Sequence, residues 1–221
     1  MAWDGDFDRC FFFDASGSFI DGEYIVGLLA TSFVVKVPGA RIVHDPRVVW
    51  NTRDVVQQPG GTAVQARTGH DFLKQALHDA DAVYGGEVSA HQYFRDFVCC
   101  DSGMVPWLLV AELMSQCGQS VADMVAERQA AFPSSGEINF HLDDPQSAIA
   151  RIIVAYINEE PEFDEMDGIS LSFPAWRFNL RSSNTEPVVR LNVEARADRG
   201  GNASLVAEKV REIRALLLAV A

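Results

Sequence analysis

Arg181-Ser182-Ser183-Asn184-Thr185-Glu186-Pro187 gathers one guanidinium, three hydroxyls and one amide into five consecutive positions, Arg181 to Thr185. Arginine presents a planar fork of donors matched to phosphate oxygens. The hydroxyls, the amide and the N–H groups of a tight loop can complete a nest for an anion. Pro187 suits the first position of the strand that follows. The plain alternative is a polar turn between two strands. At the other end of the chain, Asp4, Asp6 and Asp8 recur at i, i+2, i+4. Carboxylates so close repel one another unless a cation sits among them. A hard divalent ion with oxygen ligands answers that, and Mg²⁺ is the natural choice beside a phosphate. An EF-hand would need glycine at position 9 and glutamate at 15, where this chain has Arg9 and Ala15. A solvated acidic turn is the alternative. Arg9 offsets the carboxylate charge and is placed to reach a phosphate.

A third stretch is Gly86-Glu87-Val88-Ser89-Ala90-His91. Alternate residues of an extended segment share a face, which puts Glu87 and Ser89 side by side. A carboxylate accepts from two adjacent hydroxyls, and serine can give or take a third hydrogen bond. The alternative is that both are exposed turn residues. His91 follows, and an imidazole near neutral pKa can move protons or donate to a phosphate. His70 opens a helix after Thr68-Gly69, where anions are favoured. Arg47 follows a strand in His44-Asp45-Pro46-Arg47. His44, His78 and His141 read as structural or solvated, and the tryptophans and Phe11 to Phe13 as core.

These stretches together resemble the α-D-phosphohexomutases, the phosphomannomutase and phosphoglucomutase family. R-x-S-N-T-E-P-V-x-R-L-N-V-E is similar to their phosphate-binding loop, Asp4 to Arg9 to their metal loop, and Gly86 to His91 to their sugar-binding loop. The motifs stand in the family's order, and the resemblance covers essentially the whole chain. It is nearest to bacterial phosphomannomutases serving GDP-mannose and surface polysaccharides. It implies Mg²⁺ on Asp4, Asp6 and Asp8, and a hexose phosphate, passing through a hexose bisphosphate, held by Glu87, Ser89, His70, Arg181, Ser183, Asn184 and Thr185. It implies catalytic roles for His91, Arg47 and Arg9. Val88 stands where members acting on glucosamine phosphates carry glutamine, which points away from that branch.

The elements that must position these groups follow from the pattern. Strands are expected at Cys10–Phe13, Arg41–His44, Thr62–Ala66, Ala82–Tyr84 (leading into a Gly85-Gly86-Glu87 turn) and Tyr93–Val98. Helices are expected at Glu23–Val37, Val48–Gln58, Asp71–His78, Pro106–Cys117 and Val121–Ala131. This alternation predicts an α/β domain with a mixed sheet over residues 10–132, its binding residues at the carboxyl ends of the strands. Phe132 to Gly136 reads as a linker. Residues 137–221 then predict a smaller α+β domain on an antiparallel sheet, with strands at Glu137–Leu142, Ile169–Phe173, Trp176–Leu180 and Val188–Arg196. Its helices are expected at Gln146–Ile157 and Ala203–Val220. Residues 1–9 read as the end of a preceding domain carrying the metal loop.

The chain has 221 residues, 48% hydrophobic and 22% charged, with a formal net charge of −13. These are values of a soluble globular protein, and the acidity argues against nucleic-acid or anionic-membrane partners. No stretch reads as a signal peptide or a membrane span. Cys10, Cys99, Cys100 and Cys117 match no zinc or disulfide pattern and read as reduced thiols of a cytoplasmic protein, with Cys99 and Cys100 on opposite faces of a strand. The resemblance implies a nucleophilic serine in a T-A-S-H-N-P-type segment, which these residues do not contain. The expectation is a C-terminal portion that binds phosphosugars and turns over little alone, with a surface left for self-association. A stand-alone phosphosugar-binding module and one half of a split mutase are the alternatives.

Overall fold

The computed structural model describes residues 1–182 and 188–219. Two compact units divide the chain, Met1–Gln129 and Ala130–Ala221. No helix among the described residues is long and apolar enough to cross a membrane.

The first unit opens with a small antiparallel sheet of β1 (Ala2–Trp3), β2 (Cys10–Phe13) and β3 (Phe19–Ile20). Helix α1 (Gly22–Lys36) follows, then β4 (Arg41–His44), α2 (Trp50–Gln57), β5 (Thr62–Gln65) and α3 (His70–Asp79). After β6 (Tyr84–Gly86), β7 (Gln92–Phe94) and β8 (Cys100–Asp101) come α4 (Met104–Cys117) and α5 (Val121–Ala131). The central sheet runs β5-β4-β6-β7-β8. Strands β4, β5 and β6 are parallel, while β7 and β8 are antiparallel additions. This is the expected mixed sheet. Ile42, Val43 and Tyr84 are fully buried between the helical layers, as strands covered on both faces should be.

Four expectations shift. The strand expected at Ala82–Tyr84 lies two residues later, and Gly85 and Gly86 are strand rather than turn. The reason is crowding: a Cβ on Gly86 would sit 2.7 Å from Gln92 Oε1 and from Val26 Cγ2. Only a residue with no side chain lets β6 pass there. The strand expected over Tyr93–Val98 stops at Phe94, where Arg95–Phe97 form a 3₁₀ turn. Val98 and Cys99 both take left-handed backbone, φ +57° and +54°, so Cys99 and Cys100 are not alternating residues of one strand. Phe13 is 38% exposed and packs edge-on against Phe19, 5.6 Å between centroids, rather than entering the core.

The second unit contains β9 (Ser134–His141), α6 (Pro145–Tyr156), β10 (Glu162–Asp164), β11 (Ile169–Ser172), β12 (Trp176–Ser182), β13 (Val188–Ala195) and α7 (Ala203–Leu218). Its five-stranded sheet has the order β10-β11-β12-β13-β9, every pair antiparallel. Ser134 to Gly136, read as linker, belong to β9. Asp144 and Asn202 cap the two helices, accepting from the N–H of Ser147 and Leu205. Period-2 alternation splits the sheet into two faces. Phe178, Leu180, Leu191 and Val193 join Ile152 and Ile213 of the helices in one core.

The opposite face is polar yet buried. Register pairs Arg177 with Glu194 and Asn179 with Asn192. Arg177 and Glu194 are 2% and 0% exposed, with Nη1 to Oε1 at 2.7 Å. Removing one partner strands a buried charge, whereas removing both does not. Arg177→Met should therefore destabilise the protein by about 3–5 kcal/mol in urea unfolding, and Arg177→Met with Glu194→Leu should recover most of that loss. Equal stability of the single and double variants would refute the reading.

Candidate active site: an acidic loop against a carboxylate–arginine turn

Helix-facing strands β4 and β6 deliver their carboxyl ends side by side. Past β4, Asp45 is 1% exposed and Arg47 3%. Arg47 donates from Nη2 to Asp45 Oδ2 at 2.6 Å, and its N–H donates to Asp45 Oδ1 at 2.9 Å. Past β6, Glu87, Val88, Ser89 and Ala90 form a tight turn. The Ala90 N–H donates to the Glu87 carbonyl at 3.0 Å, and Ala90 takes φ +75°. The Val88 N–H donates to Asp45 Oδ2 at 2.8 Å, which ties this turn to β4.

Glu87 is not an exposed turn residue: it is 2% accessible. Tyr93 donates to its Oε1 at 2.7 Å and Ser89 to its Oε2 at 3.2 Å. The Arg47 guanidinium stands 3.5 Å from the same carboxylate and 3.2 Å from Ser89 Oγ. Burial alone would raise the Asp45 pKa, but the Arg47 charge and the hydrogen bonds from Arg47 and Val88 outweigh it and hold it below the usual carboxylate range. Burial, then the Glu87 charge, pushes the Tyr93 hydroxyl well up, so it remains a donor.

The acidic loop lies against this turn. Arg9 and His91 form an isolated antiparallel bridge. Arg9 clasps Asp4 through its N–H (3.2 Å) and its Nε (2.5 Å). Desolvation opposes ionisation of Asp4, but the Arg9 contacts prevail and hold its pKa at about 2. Gly103 lets the start of α4 reach the loop, since a Cβ there would stand 2.6 Å from the Phe7 carbonyl. Trp3 Nε1 donates to the Gly103 carbonyl at 2.9 Å and pins the same point.

Asp4, Asp6 and Asp8 bring one carboxylate oxygen each within 4.8 Å of the others. Asp8 Oδ1 is closed off from solvent with no hydrogen-bond partner, Arg9 Nε standing 3.8 Å away. Burial, and then the neighbouring Asp4 and Asp6 charges, raise the Asp8 pKa despite the opposing effect of His91. Convergent oxygens, mutual repulsion and one orphaned oxygen fit a hard divalent cation.

His91 and His70 meet at Asp101. His91 Nδ1–H donates to Asp101 Oδ2 at 3.1 Å, and His70 Nδ1 lies 3.3 Å from the same oxygen. Lys74 Nζ stands 3.3 Å from Asp101 Oδ1. Burial works against the Asp101 charge, but hydrogen bonds and the His70 and Lys74 charges keep its pKa lowered. His44 is buried, with Nδ1 at 2.7 Å from the Asp45 carbonyl, while His78 and His141 are exposed.

In the second unit, Arg181 is the penultimate residue of β12, with Nη1 3.4 Å from Asp167 Oδ2. Ser183, Asn184 and Thr185, expected to hold phosphate, lie outside the described residues. Across the strand pair from Arg181 stands Arg190, with Nη1 3.8 Å from Glu137 Oε1. Sequence reasoning missed Asp45, Lys74, Tyr93, Asp101 and Arg190 as site residues. Only Arg190 carried a signal, its place opposite Arg181 on the polar face of a strand. Asp101 and Lys74 gain meaning only when α3 and β8 are folded together.

Residues 21–132 match the family described as phosphoglucomutase/phosphomannomutase, alpha/beta/alpha domain III, and residues 137–212 match its C-terminal domain. A protein named phosphohexose mutases from Xanthomonas campestris is 56% identical over 217 residues, covering 98% of this chain and 48% of that protein. A phosphomannomutase from Salmonella montevideo is 58% identical, with 98% and 47% covered. A crystal structure of a phosphoglucomutase/phosphomannomutase family protein from Burkholderia thailandensis superposes with a TM-score of 0.76 at 26% identity, covering 98% of this chain and 46% of that one. The chain spans about half the length of the relatives it matches.

The depressed Asp45 pKa has a defined consequence for stability. Its contribution is fully present above the unfolded value of about 3.9 and is lost as pH falls through the lower folded value. Asp45→Asn should cost on the order of 3 kcal/mol near neutral pH. The gap to the parent should stay constant from about pH 5 to 8 and close below about pH 4. A gap independent of pH in chemical unfolding would count against ionised Asp45 as the anchor.

Proposed function

The chain belongs to the phosphoglucomutase/phosphomannomutase family, and we propose that it carries the metal, sugar and phosphate sites of a phosphomannomutase. The reaction class is movement of a phosphoryl group between the 1- and 6-oxygens of a hexose, here mannose phosphate with glucose phosphates as further substrates. The observation that carries this reading is the meeting of two motifs some eighty residues apart. Asp8 Oδ2 of the acidic loop lies 3.7 Å from His91 Nδ1 at the end of the Glu87–Ser89 turn. A divalent ion and a polyol bound by these motifs would be neighbours, as phosphoryl transfer to a hydroxyl requires. The choice of mannose rests on identity to phosphomannomutases, and Val88 argues only against glucosamine phosphates.

Asp4, Asp6 and Asp8 would hold Mg²⁺, which when bound offsets negative charge on the phosphoryl group. Glu87 and Ser89 fix the hydroxyls of the hexose. Arg47 stands beside both, 3.5 Å from the Glu87 carboxylate, and orients it. His91 and Arg9 place a proton donor and a fixed positive charge beside the acidic loop. His70 stands beside His91, the ring centroids 4.2 Å apart. Arg181, with Ser183, Asn184 and Thr185, would bind a phosphate group of the hexose phosphate or of the hexose bisphosphate. Arg190, opposite Arg181, joins it there. The boundaries proposed are 1–9 for the metal loop, 10–132 for the sugar-binding domain and 137–221 for the phosphate-binding domain. The reaction places the protein in cytoplasmic carbohydrate metabolism, supplying GDP-mannose.

These 221 residues are proposed to bind rather than turn over until the serine-bearing half of a family member is supplied. Copies would associate through Phe7, Phe13 and Phe19, which are 61%, 38% and 48% exposed. The test is a mutase assay with mannose 1-phosphate, Mg²⁺ and a hexose bisphosphate activator. The expected result is negligible turnover by the chain alone and turnover when a separately expressed N-terminal half of a relative is added. Robust turnover by the chain alone would overturn this division of labour. In calorimetric titration of the chain, Asp6→Asn should weaken Mg²⁺ binding at least tenfold, and Glu87→Gln should weaken mannose 1-phosphate binding without altering Mg²⁺ binding. An unchanged Mg²⁺ affinity in Asp6→Asn would remove the metal loop from the proposal.

A further inference from the structure

Two donor sets of different chemical hardness share one residue in the first unit. Asp4, Asp6 and Asp8 form the all-oxygen set. Asp8, His70, His91 and Asp101 form another, with one donor atom of each within 4.8 Å of all the rest. They come from four separate places: the acidic loop, the start of α3, the residue before β7, and β8. The observed separations are 3.1 Å (His91 Nδ1 to Asp101 Oδ2), 3.3 Å (His70 Nδ1 to Asp101 Oδ2) and 3.7 Å (His91 Nδ1 to Asp8 Oδ2). A tetrahedral ion with bonds of about 2.0–2.1 Å sets its ligands about 3.3–3.4 Å apart. Three of the cluster's six edges already lie near that length, and the rest are within 4.8 Å.

The geometry points to a second metal site, on Asp8, His70, His91 and Asp101, that takes a four-coordinate borderline ion such as Zn²⁺. Two imidazoles select against Mg²⁺ and Ca²⁺ and in favour of Zn²⁺, Co²⁺ or Cu²⁺. Two carboxylates bring such an ion to zero net charge. Lys74 against Asp101 Oδ1 supplies an outer partner that orients the shared carboxylate. His70 is 41% exposed at its side chain and His91 13%, which leaves one open side for entry. An ion here occupies Nδ1 of both histidines and an oxygen of Asp8. If the proposed phosphomannomutase reading holds, the ion is inhibitory, since it takes groups that reading gives to the phosphosugar and to Mg²⁺. The site itself does not depend on that reading.

The simpler arrangement is that Asp101 accepts hydrogen bonds from two imidazoles and no ion ever enters. Titration of the chain with Co²⁺ in excess Mg²⁺ separates the two. The expected result is uptake of one Co²⁺ with the intense visible absorption of four-coordinate cobalt, displaced by Zn²⁺ but not by further Mg²⁺. His70→Ala and Asp101→Asn should each weaken it by more than about tenfold, the scale seen even for loss of outer partners. Asp6→Asn should leave it unchanged. His70→Gln, matched to the parent by circular dichroism and thermal unfolding, guards against a folding defect in His70→Ala. Three outcomes would overturn the site: no uptake, uptake displaced by Mg²⁺ and lost in Asp6→Asn, or uptake indifferent to His70. Because this readout needs no turnover, it can fail while the mutase assay succeeds, and the reverse.

Discussion

The buried Asp45–Arg47 pair is the interaction on which the first unit's site depends. Both residues are nearly inaccessible, so neither charge can be left alone without a large desolvation penalty. That requirement binds three segments together. Asp45 comes directly after β4, Arg47 begins the approach to α2, and the Val88 N–H and the Glu87 carboxylate bring in the turn after β6. A turn tip would ordinarily be the loosest part of a hairpin. Here it is tied to the carboxyl ends of two parallel strands, and Tyr93, Ser89 and Arg47 converge on the Glu87 carboxylate. Rigidity of this kind suits the hydroxyl-binding role proposed for Glu87.

Charge organises the neighbouring loop in the opposite way. Asp4, Asp6 and Asp8 stand closer than free carboxylates prefer, and the protein resolves only part of the conflict. Arg9 neutralises Asp4, while Asp8 keeps an orphaned oxygen and a raised pKa. His70, His91 and Asp101 continue the same polar seam, and Lys74 closes it. A folded chain tolerates unresolved electrostatics where a ligand is to complete them. The second unit repeats the theme on its polar sheet face. Arg181 and Arg190 oppose each other across β12 and β13, a like-charge pair that costs stability, and Asp167 and Glu137 offset it.

The sequence was most legible where periodicity is strong and local. Strands β2 and β4 and helix α5 fall at the residues their patterns indicate, and the antiparallel sheet of the second unit follows from clean alternation in β11, β12 and β13. It was least legible where long-range packing overrides local preference. Gly85-Gly86 reads as a turn, yet lies in a strand because Leu77, Val26 and Gln92 leave no room for side chains. Tyr93 begins what reads as a long strand, yet the chain turns after Phe94 and two non-glycine residues adopt left-handed backbone. Phe13 continues an apolar run but stays at the surface, because β2 belongs to a small sheet covered on one side only.

What the sequence by itself determined are the residue types and spacings that carry chemistry. The carboxylates at alternate positions, the Glu87–Ser89 pair and the guanidinium beside hydroxyls are local facts, set by covalent order and readable without a fold. Only the tertiary structure decided which of them meet. Asp8 reaches His91 because a bridge at Arg9 pairs segments that the chain separates by some eighty residues. Asp101 and Lys74 join the histidines because β8 and α3 pack at the same end of one sheet. Glu87 is buried rather than exposed because Arg47, Ser89 and Tyr93 pack around its carboxylate. Such contacts depend on long-range packing and on the cost of burying a charge, and no window of sequence contains either.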